Sequence, residues 1–175
     1  MPRLTVLLAP LLFLLGACGP APAGPAPAAA TAATTTTYFL VRHAEKGFGA
    51  DPALTAAGRQ RAERLAEVLS RVKLGAVYST NTRRTRATAA PAARRQSLRV
   101  RPYDADRLRD FSRGVARRSR GKNVLVVGHS NTTPQLANFL VGREELPRFS
   151  ELDYGNLLVV TLTEGAPGRI LQLRY

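Results

Sequence analysis

Only two histidines occur in the 175 residues, His43 and His129, so any imidazole chemistry falls to them. Each follows a short apolar, β-prone run. Thr37-Tyr38-Phe39-Leu40-Val41 leads through Arg42 to His43, and Val124-Leu125-Val126-Val127-Gly128 leads to His129. A third run, Ala76-Val77-Tyr78, ends at Ser79 and is followed by Arg83, Arg84 and Arg86. If these runs are parallel strands, the residues after them share the sheet edge where ligands of open α/β sheets bind. Arg42, His43, Arg84 and His129 then converge on one pocket. An imidazole nitrogen can attack phosphorus. Guanidinium groups bind phosphate oxygens in bidentate fashion and neutralise the charge that develops on them. Such a pocket suits a phosphoryl group and calls for neither a metal nor an organic cofactor.

The segments between these runs supply the scaffold. Ala62, Leu65, Ala66, Leu69 and Val72 recur at helical spacing, which predicts a helix over 55–72 with Thr55 as N-cap. Residues 82–94 read as an Ala-rich helix that Pro91 kinks or stops. Leu98 to Arg101 reads as a strand, 105–118 as a helix, and Asn123 to Gly128 as a buried strand. A helix follows over 133–141, with Pro134 in its first turn and Gly142 as C-cap. Strands over 157–162 and 170–173 form a hairpin across a Gly-Pro-Gly-containing turn. Strand–helix alternation predicts an α/β fold: a three-layer α/β/α sandwich around a mostly parallel sheet.

The N-terminus reads differently. Arg3 precedes an apolar run, Leu4 to Leu15, broken only by Thr5 and Pro10, and small residues follow. That is the form of a secretory signal, and it is shorter than the roughly 20 residues a spanning helix needs. Leu15-Gly16-Ala17-Cys18 resembles a bacterial lipoprotein box, in which cleavage precedes a cysteine that carries lipid. Residues 1–17 are therefore expected to be a signal peptide and Cys18 a lipidation site. The expected location is the periplasmic, cell-envelope face of a bacterial membrane. Residues 18–37 are rich in Ala, Pro and Thr and carry no charge, as a spacer would. The domain is then 38–175.

With 45% hydrophobic and 22% charged residues, the chain is not wholly disordered. One cysteine excludes an internal disulfide, a Cys-based zinc site and an iron–sulfur cluster. The 26 Lys+Arg against 12 Asp+Glu leave a net charge of +14. Between Arg83 and Lys122 there are 14 Lys+Arg against 3 Asp, a net +11. Such a face attracts anions, although an Arg-rich composition accounts for most of these residues. Tyr103 and Phe111 are the only aromatic residues among them, too few for the stacking that nucleic-acid binding uses.

Three segments together resemble the histidine phosphatase superfamily, the phosphoglycerate mutase-like fold. Leu40-Val41-Arg42-His43-Ala44-Glu45 resembles its Arg-His-Gly/Ala motif. Ser79 to Ala89 resembles its second motif, with Arg84 in the register of the family arginine. Val126-Val127-Gly128-His129-Ser130-Asn131-Thr132 resembles the third, and Leu54-Thr55-Ala56-Ala57-Gly58-Arg59-Gln60 the segment before the first helix. The resemblance implies a two-step hydrolysis of a phosphorylated substrate. His43 is the nucleophile, and Arg42, Arg84 and His129 bind the phosphate oxygens.

The proton donor departs from the family pattern. The Glu usual after the second motif is missing, which leaves Asp104 as the candidate and Glu45, beside the nucleophile, as runner-up. Ala87 replaces the usual Gln after the arginine. The short domain lacks the insertions that form a sugar-phosphate lid in the mutases. An alternative is a non-catalytic lipoprotein that binds phosphate or a polyanion on the same fold.

Overall fold

The computed structural model describes residues 33–175. The signal peptide, Cys18 and most of the spacer read from the sequence lie outside them. The chain runs β1 (Thr35–Arg42), α1 (Ala56–Val68), β2 (Leu74–Ser79), α2 (Arg83–Arg95), β3 (Val100–Pro102), α3 (Leu108–Arg118), β4 (Asn123–Gly128), α4 (Thr132–Val141), β5 (Asn156–Thr163) and β6 (Arg169–Arg174).

The six strands form one sheet in the order β3-β2-β4-β1-β5-β6. β1, β2, β3 and β4 pair in parallel, while β5 runs antiparallel to both β1 and β6. Strand alternation sorts the side chains to two faces. Tyr38, Leu40, Tyr78, Val124 and Val126 pack with Val115 of α3 and Leu136 of α4. Val41, Val77, Leu125 and Val127 pack with Leu65 of α1 and Ala89 and Ala92 of α2. The result is the expected α/β/α sandwich. Among the described residues, no helix is long and apolar enough to cross a membrane.

Four departures from the sequence expectation have a clear local cause; β3 is also displaced, running over Val100–Pro102 rather than 98–101. β1 begins at Thr35, inside the stretch read as spacer, because three threonines continue its pairing to Thr163; β-branched residues suit a strand. α1 ends at Val68 rather than Val72. The Ser70 and Val72 amides turn back to Glu67 and Leu69, three residues earlier, so the last turn tightens. α2 runs through Pro91 to Arg95; Pro91, Ala92 and Ala93 are buried in the sandwich, and that packing holds the helix across the missing N–H. α3 starts at Leu108, three residues late. The Asp104 carboxylate accepts from the Asp106 amide, closing a turn that keeps 104–107 out of the helix.

Two glycines are required by the backbone around α1 and α4. A Cβ at Gly58 would stand 2.1 Å from the Glu45 carbonyl oxygen, so only glycine lets the start of α1 rest on the segment after β1. Gly142 closes α4 at φ +76°, in the left-handed region that favours glycine.

Candidate active site

Parallel pairing sets the ends of β1, β4 and β2 side by side: Arg42 faces Gly128, and Ser79 faces Val127. The residues after these strands therefore emerge together. The His43 amide donates to the Gly128 carbonyl, fixing the chain just past β1 against the end of β4. The His43 and His129 rings lie 5.6 Å apart between centroids, at 69° to each other.

His43 is buried, and its Nδ1 lies 2.8 Å from the Ala44 carbonyl oxygen. A carbonyl only accepts, so Nδ1 carries the proton and Nε2 holds the lone pair. Burial lowers the His43 pKa to about 4. The Ala44 carbonyl opposes this by favouring the charged ring, while the charges of Arg42, Arg84 and His129 lower it further.

His129 Nε2 lies 2.9 Å from Thr80 Oγ1. The Thr80 hydroxyl donates to Thr85 Oγ1, so it accepts from Nε2–H and leaves the lone pair on Nδ1. The His129 amide is tied to Thr132 Oγ1 at the start of α4. Asn131 makes no side-chain cap there. Burial also lowers the His129 pKa to about 4. Arg84 and Arg42 add to the lowering, and Glu151 opposes it. Both rings are neutral at neutral pH, each with one nitrogen lone pair.

Arg42 is the largest side chain that is fully buried. Its Nη1 donates to the Ser150 and Asp153 carbonyls, its Nη2 to Glu151 at 2.7 Å, and Tyr154 covers its face at 4.3 Å. Its Nε is buried without a partner. Arg84 repeats the pattern: Nη1 reaches Asp51 at 3.4 Å, and Nε is buried and unpartnered. Of the arginines opening α2, Arg84 is the one that perturbs both imidazoles. Buried guanidinium donors without acceptors are costly. Two of them beside two imidazoles mark a place for an anion.

The two proposed acids part company. Glu45 is held by Arg61 through three hydrogen bonds of 2.7–3.0 Å. Arg61 also donates to the Tyr175 carbonyl, which ties the end of the chain to α1. Asp104 is exposed and lines a cavity of about 540 Å³ together with Thr80, Asn81 and His129. Among the described residues, no group of three or more His, Cys, Asp or Glu side chains is placed to hold a metal ion.

Several contributors were not read from the sequence. Thr80 and Thr85 fix the His129 ring, and Thr88 accepts from the Ala44 amide next to His43. Thr80, Thr85 and Thr88 lie inside the second motif and Ser130 inside the third, so the signal was present there. Glu151 and Tyr154 lie in a loop without periodicity. Glu151 accepts from Ser130 Oγ at 2.6 Å, from Arg148 and from Arg42. The Ser130 hydroxyl, Arg148 and the charge of Arg42 hold its carboxyl at about 2.

The model of the histidine phosphatase superfamily (branch 1) matches residues 38–105. No curated protein matches the chain. Among solved structures, the mycobacterial glucosyl-3-phosphoglycerate phosphatase superposes with TM-score 0.61 at 16% identity, covering 82% of this chain and 98% of that one. The protein histidine phosphatase SixA, solved with tungstate, gives 0.64 at 19% identity, with 79% and 96% covered. The phosphoserine phosphatase of Entamoeba histolytica, solved with 3-phosphoglyceric acid, gives 0.62 at 14% identity, with 80% and 97% covered. At these identities the likeness is one of fold.

Proposed function

We propose that the chain is a member of the histidine phosphatase superfamily (branch 1), whose model matches residues 38–105, and that it is a metal-independent phosphatase. It hydrolyses a phosphate monoester or a phosphohistidine through a phosphohistidine formed on His43. The carrying observation is the pair of buried, unpartnered Nε–H donors of Arg42 and Arg84 beside two imidazoles 5.6 Å apart. Four groups of that kind fit one tetrahedral oxyanion.

The hydrogen bonds around the rings give each residue its part. His43 Nε2 attacks phosphorus, the P–N bond forms, and the P–O bond to the leaving group breaks. Its Nδ1–H remains on the Ala44 carbonyl and stabilises the ring as it gains positive charge. Arg42, Arg84 and His129, the last once the bound anion has drawn a proton onto its Nδ1, hold the phosphoryl oxygens, and Glu151 and Thr80 orient two of these three groups. The leaving oxygen keeps the bonding pair and takes a proton, supplied by Asp104 from the cavity wall or by solvent. Water then attacks phosphorus, passing a proton to the Asp104 carboxylate or to solvent; the P–N bond breaks with its electron pair returning to His43 Nε2, and inorganic phosphate departs. Positioning and electrostatics supply the catalysis.

A lipid on Cys18 tethers the domain to the cell-envelope face of a bacterial membrane. This proposal rests on the sequence around Cys18 alone, and an unchanged membrane-bound fraction in Cys18→Ser would contradict it.

The test of the enzyme is turnover of p-nitrophenyl phosphate and of phosphohistidine by the purified chain beside His43→Ala. Turnover by the wild type, lost in the variant, is expected. Equal inertness of both defeats the proposal, and phosphate or vanadate binding without turnover would instead establish an anion-binding protein.

A further inference from the structure

A second cavity lies next to the site. It measures about 670 Å³ and lies between α2 and the edge strand β3. It shares Thr80, Asn81 and Pro102 with the cavity that His129 and Asp104 line, so the two adjoin. Arg83, Arg86, Ala87 and Ala90 recur at helical spacing and form the α2 wall. The alanines leave room, and the arginines line the wall that they open.

These two arginines differ from their neighbours on the helix. Arg84 has Asp51, Arg94 has Glu63, and Arg95 has Glu63 and Glu67. Among the described residues neither the Arg83 nor the Arg86 guanidinium pairs with an acid: the Asp51 carboxylate accepts from the Arg83 backbone amide at 3.0 and 3.2 Å, and Arg86 reaches the Asn81 side-chain oxygen at 3.4 Å. On the other side of Pro102 a smaller cavity of about 240 Å³ continues past Asp104 to Arg107 and Arg118. The groove thus follows the chain segment that carries a net +11.

We propose that this groove is a leaving-group subsite, and that the substrate is a small molecule carrying at least one further phosphate beyond the one transferred, such as a phosphoanhydride chain. This rests on the phosphatase reading of the site. With the terminal phosphorus at His43, the rest of the chain lies along Arg83 and Arg86. When the P–N bond forms, the bridging P–O bond breaks and its electron pair stays on the departing phosphate oxygen. Arg83 and Arg86 neutralise that oxygen and its neighbours. A phosphate leaving group is stable as an anion, so the step does not depend on a strong acid. That agrees with a site whose candidate acid, Asp104, is exposed.

The test compares kcat/KM for inorganic tripolyphosphate, a nucleoside triphosphate and p-nitrophenyl phosphate in the wild type and in Arg83→Gln/Arg86→Gln. Preference for the two polyphosphates over the ester, reduced at least tenfold in the double variant, is expected. Similar values for the two polyphosphates support recognition of the phosphate chain itself, and a large excess for the nucleotide supports a nucleoside-bearing substrate. An unchanged preference in the double variant, or none in the wild type, overturns the subsite while leaving the phosphatase intact. If no substrate turns over, the phosphatase reading fails, and calorimetry of tripolyphosphate on His43→Ala decides the groove. Binding at least tenfold weaker after adding Arg83→Gln and Arg86→Gln supports it, and equal binding overturns it.

Discussion

Glu151 holds Arg42 by its Nη2 at 2.7 Å while its other carboxylate oxygen accepts from Ser130 Oγ at 2.6 Å. One loop carboxylate thus joins the residue before His43 to the residue after His129. With both Nη atoms occupied, Arg42 has its Nε free and buried. Glu151 acts through Arg42 and is a positioning residue. Glu151→Gln keeps a shorter list of hydrogen bonds and loses the charge. Its kcat is expected to fall roughly tenfold, a barrier change of about 1.4 kcal/mol, with KM for p-nitrophenyl phosphate changing less. Glu151→Asp should recover part of the loss. The Glu151 side chain is 58% exposed, so water can replace it and the fold should survive. Circular dichroism beside steady-state kinetics separates the two effects. Equal activity of wild type and Glu151→Gln would refute the positioning role.

Arg84 offers a sharper contrast. Its neighbours Arg83 and Arg86 line the groove wall, while Arg84 perturbs both imidazoles and buries an unpartnered Nε–H. Arg84→Gln is expected to lower kcat/KM by about 10²–10³, the loss typical of one oxyanion donor. Arg84→Lys should recover little, because an ammonium cannot reproduce the planar fork. Full rescue by lysine would show that charge alone matters at this position.

How far the sequence reaches is clear from these two arginines. Arg84 was legible because motif register and strand-end placement agree, and both are local properties. The sandwich was legible for the same reason: β1, β2 and β4 are apolar runs and α1 an amphipathic one. Glu151 was not legible. It meets Arg42 across 109 positions of chain, from a loop that carries no periodic signal. Glu45 shows the converse. It is next to His43 in sequence, yet the turn after β1 carries its side chain to Arg61 and the C-terminus. Proximity along the chain says little about direction once a strand has ended.

Acid stability follows from the two depressed imidazoles. Each has a pKa of about 4 in the folded chain against 6.5 as its ordinary value. Between those values the unfolded chain binds the protons and the folded chain does not, so stability falls as pH drops from about 6.5 to 4. With two protons at stake, the steepest slope is about 2.7 kcal/mol per pH unit. The Glu151 carboxyl, held at about 2, contributes with the same sign in a lower window, below its ordinary value. Urea unfolding at a series of pH values reads the slope. In His129→Gln it should be about half as steep above pH 4, and an unaltered slope would exclude that ring as a buried neutral base.

Anion binding should reverse the state of these rings. Burial comes first in keeping them neutral, and the guanidinium charges of Arg42 and Arg84 add to it. A dianion placed among the four groups offsets those charges and favours the protonated imidazole. Binding then takes up a proton wherever the pH lies between the free and the bound pKa. Sulfate suits the measurement because it does not itself titrate near neutrality. Its affinity should rise as pH falls from about 7.5 to 5.5, toward a limit of tenfold per pH unit for each proton taken up. Calorimetry in buffers of different ionisation enthalpy should show uptake of up to one proton in the wild type and much less in His129→Gln. Release of a proton, or affinity independent of pH, would mean that the anion does not lie between the two rings.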